Sequence, residues 1–158
     1  MRRARRTRRR FHAVLGLLLV AALVAGCGGS DGTKQFGKRF EPVNEQLLTL
    51  VSSVGQAVAA RPSDKALAAE FNGFASRFRV IKARVDGLKP PDKLRSQTQA
   101  LSAAVGHLAG DMRAIAAASG AHRPDLARAA TVSLVRDSQA AGAARREIAR
   151  KTGTKVNP

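Results

Sequence analysis

The stretch LAAEFNGFASRFRVIKARVDGL, residues 67–88, decides the fold. Its apolar residues Leu67, Phe71, Phe74, Phe78, Ile81, Val85 and Leu88 recur every three or four positions, with small, polar or charged residues between most of them. That spacing lays one apolar stripe along a helix and leaves the opposite face polar. A half-buried strand would need alternation with a period of two, which this stretch lacks. A helix with one apolar face gains most of its stability from neighbours that cover it.

Working outward, three further segments supply such neighbours. Upstream, Phe36, Phe40, Val43, Leu47, Leu50 and Val54 fall on one stripe. Downstream, Leu94, Thr98, Leu101, Val105, Leu108, Met112 and Ile115 form a third. Ala127, Ala130, Leu134, Asp137, Ala141, Ala144 and Ile148 form a fourth, with alanine at four of its seven positions. Pro62, Pro90-Pro91 and Pro124 each precede a stripe, which matches proline's tolerance in the first turn of a helix. Ser63 or Asp64 suits the cap of the second helix, and Asp92 and Asp125 place negative charge early in the third and fourth. Gly87, Gly120 and Gly153 mark the ends. Helices are therefore expected over 33–60, 63–87, 91–119 and 124–151. Connections this short make neighbours antiparallel, so the expected fold is all-α: an up-down-up-down four-helix bundle over 33–153, with a tail at 154–158.

Pro42 is the one misfit. An interior proline costs roughly 3 kcal/mol. Against it, Phe36 and Phe40 are in phase with Val43, and burying each is worth about 1.5–3 kcal/mol. The balance predicts a first helix that starts near Thr33 and kinks at Pro42. The alanine-rich fourth helix buries little area, so it is expected to detach most easily.

The amino terminus has a different character. Seven arginines and no acid fill residues 1–10, and Phe11 to Ala25 is apolar apart from His12. Fifteen residues are short for a bilayer core, which takes about 20 helical residues to span. The block ends in Leu23-Val24-Ala25-Gly26-Cys27, followed by Gly28-Gly29-Ser30-Asp31-Gly32. A charged segment, a short apolar block and small residues at its end make a secretory signal. The aliphatic residue three places before the cysteine, followed by two small ones, resembles the lipobox of bacterial lipoproteins. That resemblance implies cleavage between Gly26 and Cys27, removal of residues 1–26, and a thioether-linked diacylglycerol on Cys27 with a further acyl group, such as palmitate, on its amine. It also implies a lipid-anchored protein on the extracytoplasmic face of the cell membrane, with residues 27–32 as lipidated cysteine and flexible tether. Arg8, Arg9 and Phe11 in addition resemble a twin-arginine export signal.

Composition narrows the functions further. Of the 28 Lys and Arg, seven lie in the first ten residues; against 11 Asp and Glu the remainder is still basic. A basic surface favours anionic surroundings such as phospholipid headgroups or wall polymers. Arg77, Arg79, Lys82 and Arg84 cluster on the second helix and mark one such face. The arginine run joins directly to an apolar block, so it reads as a targeting segment and not as a nucleic-acid arm. Cys27 is the one cysteine, which excludes an internal disulfide and a thiolate metal cluster. The chain has no Trp and no Tyr, which weakens a carbohydrate-stacking role.

Chemistry-bearing residues are few. His107 and Asp111 are four apart on the third helix, so they share a face and could supply two metal ligands. Asp137 falls on the inward stripe of the fourth helix, where a carboxylate needs a partner such as Arg136 or Arg145. His122 precedes Pro124 in a loop. Phosphate-cradling loops, Gly-x-Ser-x-Gly elbows, Cys-x-x-Cys-His and paired Glu-x-x-His motifs are all missing from the sequence. The expectation is a non-enzymatic envelope interaction or scaffold module without a cofactor or resident metal. Its partners would be membrane lipid through Cys27 and a protein or anionic envelope polymer, with no nucleic acid. The alternative is a binding module for a small apolar ligand held between the helices, in a cavity bounded by Phe71, Phe74, Phe78 and Leu134. The pattern beyond the lipobox resembles the small alanine-rich helical lipoproteins of high-GC bacteria, a resemblance of composition alone.

Overall fold

A computed structural model describes residues 31–60 and 63–154. Arg8, Arg9, Phe11, Gly26 and Cys27 lie outside the described residues, as does Pro62. Four helices follow one another: α1 (Asp31–Ala59), α2 (Asp64–Gly87), α3 (Asp92–Gly120) and α4 (Pro124–Thr152). Each begins and ends within two residues of the span read from the sequence. Residues 31 and 32, expected in the tether, belong to the first turn of α1, where Asp31 suits the positive end of the helix dipole.

The local reasons for these bounds are those of ordinary capping. Ser63 sits in extended conformation before α2, and its hydroxyl accepts the Ala66 N–H at 3.4 Å. Pro124 opens α4, and Gly153 closes it with φ at 72°, in the left-handed region that glycine adopts without strain. His122 also takes a positive φ, 53°, in the turn from α3 to α4. α1 runs as one helix through Pro42, which faces solvent. There the ring clears the core, and the carbonyl left unpaired four residues earlier belongs to the exposed Lys38.

α3 lies closely along both α2 and α4, while α1 touches α2 and α4 more lightly and closes the bundle. α1 and α3 stand across one diagonal, α2 and α4 across the other. The core joins Phe36, Phe40, Leu47 and Leu50 of α1 to Phe71, Phe78 and Val85 of α2, and to Leu94, Leu101, Val105, Leu108 and Met112 of α3. From α4 it receives Ala130, Ala141 and Ile148. Phe36 and Phe40 stack with ring centroids 6.2 Å apart, and Phe71 meets Phe74 edge-on at 6.0 Å.

Thr154, read from the sequence as the start of a tail, is part of the fold. Its N–H bonds the Ala149 carbonyl at 3.1 Å, and its hydroxyl lies 2.7 Å from that of Thr152. Both threonines pack on Gly37 of α1, where an added Cβ would come within 3.0 Å of Thr152 Cβ. The absence of a side chain at Gly37 lets α1 approach the end of α4.

Candidate functional site

The described polar groups converge most closely on the α3/α4 seam. The two helices turn back on each other around His122, so residues equally far from it in sequence stand at similar heights. His107 and Asp137 are each fifteen positions from that turn, and Asp111 is one helical turn beyond His107. The three residues singled out in sequence therefore meet.

Asp137 is 7% exposed. Arg136 donates to it from Nε at 3.0 Å and, less closely, from Nη2 at 3.5 Å. The Arg136 guanidinium holds the Asp137 carboxyl below its ordinary value. His107 Nδ1 stands 3.7 Å from Asp137 Oδ2, near enough for attraction but beyond a hydrogen bond. Asp111 is different. Its Oδ2 is buried with no hydrogen-bond partner, and burial, then the adjacent Asp137 carboxylate, push its carboxyl upward. A proton on Asp111 would remove its repulsion with the Asp137 carboxylate. Among the described residues no group of three or more His, Cys, Asp or Glu is arranged to hold a metal ion. Arg136 already occupies the Asp137 oxygens. Across the seam the charged contact is that of His107 on α3 with Asp137 on α4.

Arg145 takes a role the sequence did not suggest. It is 8% exposed and donates to Asn44 Oδ1 across the α1/α4 contact at 3.3 Å, so it is not the partner of Asp137. Burial, with Arg146 nearby, lowers the pKa of its guanidinium. Asn44 lies one position from the α1 stripe, and no spacing rule links it to a residue 101 positions away. A second unforeseen network joins Lys82, Asp86 and Ser102: Lys82 Nζ lies 2.7 Å from Asp86, and Ser102 donates to the other carboxyl oxygen. The hydrogen bond from Lys82, then that from Ser102, holds Asp86 below its ordinary value.

That network divides the basic cluster of α2. Lys82 turns toward α3, its aliphatic chain lying where a Cβ on Gly106 would reach 3.2 Å. Arg77 and Arg84 instead border an open groove of about 530 Å³ on the outer α1/α2 seam, with Leu50, Val80 and Ile81 as its apolar surface and Glu45 on its far rim. Arg77 lies over the Phe74 ring at 5.9 Å, and Arg84 donates to Gln46. Arg79 is exposed. A further open groove of about 440 Å³ is bordered by Asp31, Lys34, Gln35 and Lys38. Neither groove is walled by Phe71, Phe74, Phe78 or Leu134; the three phenylalanines lie in the core, between 1% and 7% exposed. His122 faces solvent, with Nδ1 3.1 Å from Asp64, while Asp125 pairs with Arg123 at 3.0 Å.

Among the described residues no helix is long and apolar enough to cross a membrane. Compared with protein-family models, curated proteins and solved structures, the chain matches none. The fold and the seam define an all-helical, four-helix-bundle domain.

Proposed function

We propose that this protein is a membrane-anchored lipoprotein of the bacterial cell envelope, held through lipid on Cys27 on the extracytoplasmic face. In this reading its four-helix bundle acts by contact, as an interaction or scaffold module, and not by catalysis. The observation that carries it is the apolar block Phe11 to Ala25 ending in Val24-Ala25-Gly26-Cys27. A lipid-modifying enzyme must reach the thiol at the bilayer surface, and the lone cysteine stands where that block stops. Two or more acyl chains hold a protein stably, at about 0.8 kcal/mol per buried methylene. Three residues, Gly28, Gly29 and Ser30, separate Cys27 from α1. An extended chain of that length holds the start of α1 within about 14 Å of the lipidated residue.

The partner of the module is a protein or an anionic envelope polymer, which the basic outer faces favour. The α1/α2 groove, with Arg77 and Arg84 beside an apolar surface, is a suitable place for contact. Export runs through the twin-arginine route if Arg8, Arg9 and Phe11 act as their spacing suggests; conversion of both arginines to lysine would then block it.

Mass spectrometry of the mature amino-terminal peptide tests the anchor. A peptide beginning at Cys27 and carrying diacylglycerol supports it, and loss of membrane attachment in Cys27→Ser corroborates it. An unmodified cysteine, or a Cys27→Ser chain that stays in the membrane with its apolar block intact, overturns it.

A further inference from the structure

The two ends of the bundle differ in charge. α1 is 29 residues long, so its ends stand about 43 Å apart, several times the roughly 8 Å over which charge acts at physiological salt. At the far end, where α1 stops and α2 and α4 begin, the described cations Lys65, Arg113, Arg123 and Arg128 are nearly matched by Asp64, Glu70 and Asp125. His122 lies against Asp64 and Arg123 against Asp125. At the end where α1 begins, the exposed cations outnumber the acids. Lys34 and Lys38 are one turn apart on α1, and Arg39 reaches across to donate to the Lys89 carbonyl at 3.4 Å. Lys89 stands in the α2–α3 connection. Lys34, Lys38 and Lys89 have no acid within ion-pair distance among the described residues. The acids here are mostly engaged already: Asp86 with Lys82, Asp92 with Arg95, and Glu147 with Arg150 and Lys151. Asp31 and Glu41 remain as exposed negative charges on α1.

This basic end is also the end from which the chain leads back to Cys27. We infer that the Lys34–Lys38–Arg39–Lys89 end of the bundle is a docking surface for an anionic phospholipid bilayer, which fixes the bundle upright on the membrane. The inference rests on the anchored reading for its supply of nearby lipid, but the surface itself is set by the fold. An upright bundle presents the opposite end, with Lys65, His122 and Arg123, to whatever lies above the membrane. It also leaves the α1/α2 groove open along its side.

Lysine footprinting tests it on the protein purified from the membranes of its expression host and reconstituted into vesicles. Labelling of Lys34, Lys38 and Lys89 by an amine-reactive reagent should fall about fivefold or more in phosphatidylglycerol vesicles relative to phosphatidylcholine vesicles, since each cation close to an anionic surface is held by about that factor. High salt should restore it, and Lys65 should label equally in both. In a Lys34→Glu/Lys38→Glu variant, checked for an unchanged melting curve, the remaining Lys89 should lose the difference. Equal labelling of all four lysines in both vesicles overturns the inference. So does protection of Lys65 in their place, or protection that follows protein concentration and ignores lipid charge. The Cys27 peptide is weighed in the same samples, and Cys27→Ser protein is footprinted beside it. A chain without lipid that still shows the charge-dependent pattern separates failure of the anchor from failure of the docking surface.

Discussion

α1 and α4 occupy equivalent places, each flanking the α2/α3 pair and each touching the other, yet they are held by different means. α1 stands off from its neighbours and fills the gap with large side chains: Phe36, Phe40, Val43, Leu47, Leu50 and Val54. α4 buries Ala130, Ala141 and Ala149 and lies close along α3. It adds polar contacts to its neighbours: Asp137 stands beside His107 of α3, and Arg145 donates to Asn44 of α1. Little apolar area therefore does not mean loose contact. Small residues exchange transfer free energy for close backbone approach and leave room for a charged seam.

The largest effect should come from breaking the α1 side of this contrast. Phe40 is fully buried against Phe36, so Phe40→Ala should cost about 3–5 kcal/mol in chemical denaturation. A cost under about 1 kcal/mol would show that α1 is not held by its large side chains. Next comes the close seam of α4. Ala141 is 5% exposed, and Ala141→Leu should cost about 1–3 kcal/mol by overpacking, although it adds apolar area. A more stable variant would mean that the seam has spare volume.

Smaller, and opposite in sign, is Asp111→Asn. Burial and the Asp137 charge work against a negative charge on Asp111 in the fold, with Arg136 and His107 as the compensating groups. Asparagine removes that charge and can donate to Asp137 at any pH, a gain of about 1 kcal/mol at pH 7. A carboxyl raised in the fold makes the native state bind more protons than the unfolded one, so its contribution is full below the ordinary value and fades as pH rises through the folded one. Asp137 and Asp86, which are lowered, behave oppositely: their stabilisation is present above the ordinary value and lost as pH falls through the folded one. Urea curves at pH 7 and pH 3 should show the Asp111→Asn gain at the first and its disappearance at the second. A loss of stability at pH 7 would make the Asp111 charge a needed partner of His107 or Arg136.

The smallest effect separates two glycines of α1. Gly55 has nothing within 4 Å of an added Cβ, so Gly55→Ala should stabilise by about 0.5–1 kcal/mol. Gly37→Ala should not share that gain, because its Cβ would press on Thr152 and Thr154. Equal thermal shifts in the two variants would show that α1 does not bear on the end of α4.

The helices themselves were legible in the sequence because burial imposes a period that recurs along the chain. All seven residues of the α3 stripe are buried, and so are all six of α1. The α4 stripe was read less completely: Ala127, Leu134 and Ala144 are half-buried, and Arg145, off the stripe, is inside. An alanine-rich face has weak contrast, so its edges cannot be drawn from hydropathy alone. Asp137 was correctly read as an acid seeking an arginine, because Arg136 is its neighbour in sequence. The neighbour of Asp111 and the partner of Asn44 were not legible, since each lies on another helix.

By itself the sequence determined the number of helices, their ends, the faces they bury and the unpaired state of Cys27 within the chain. Those follow from local rules: periodicity, capping and residue counts. The tertiary structure alone decided that Asp111 meets Asp137, that Arg145 reaches Asn44, and that Lys34, Lys38, Arg39 and Lys89 share one end. Relative height and rotation of packed helices set those meetings, and both depend on how side chains of different size interlock across the core.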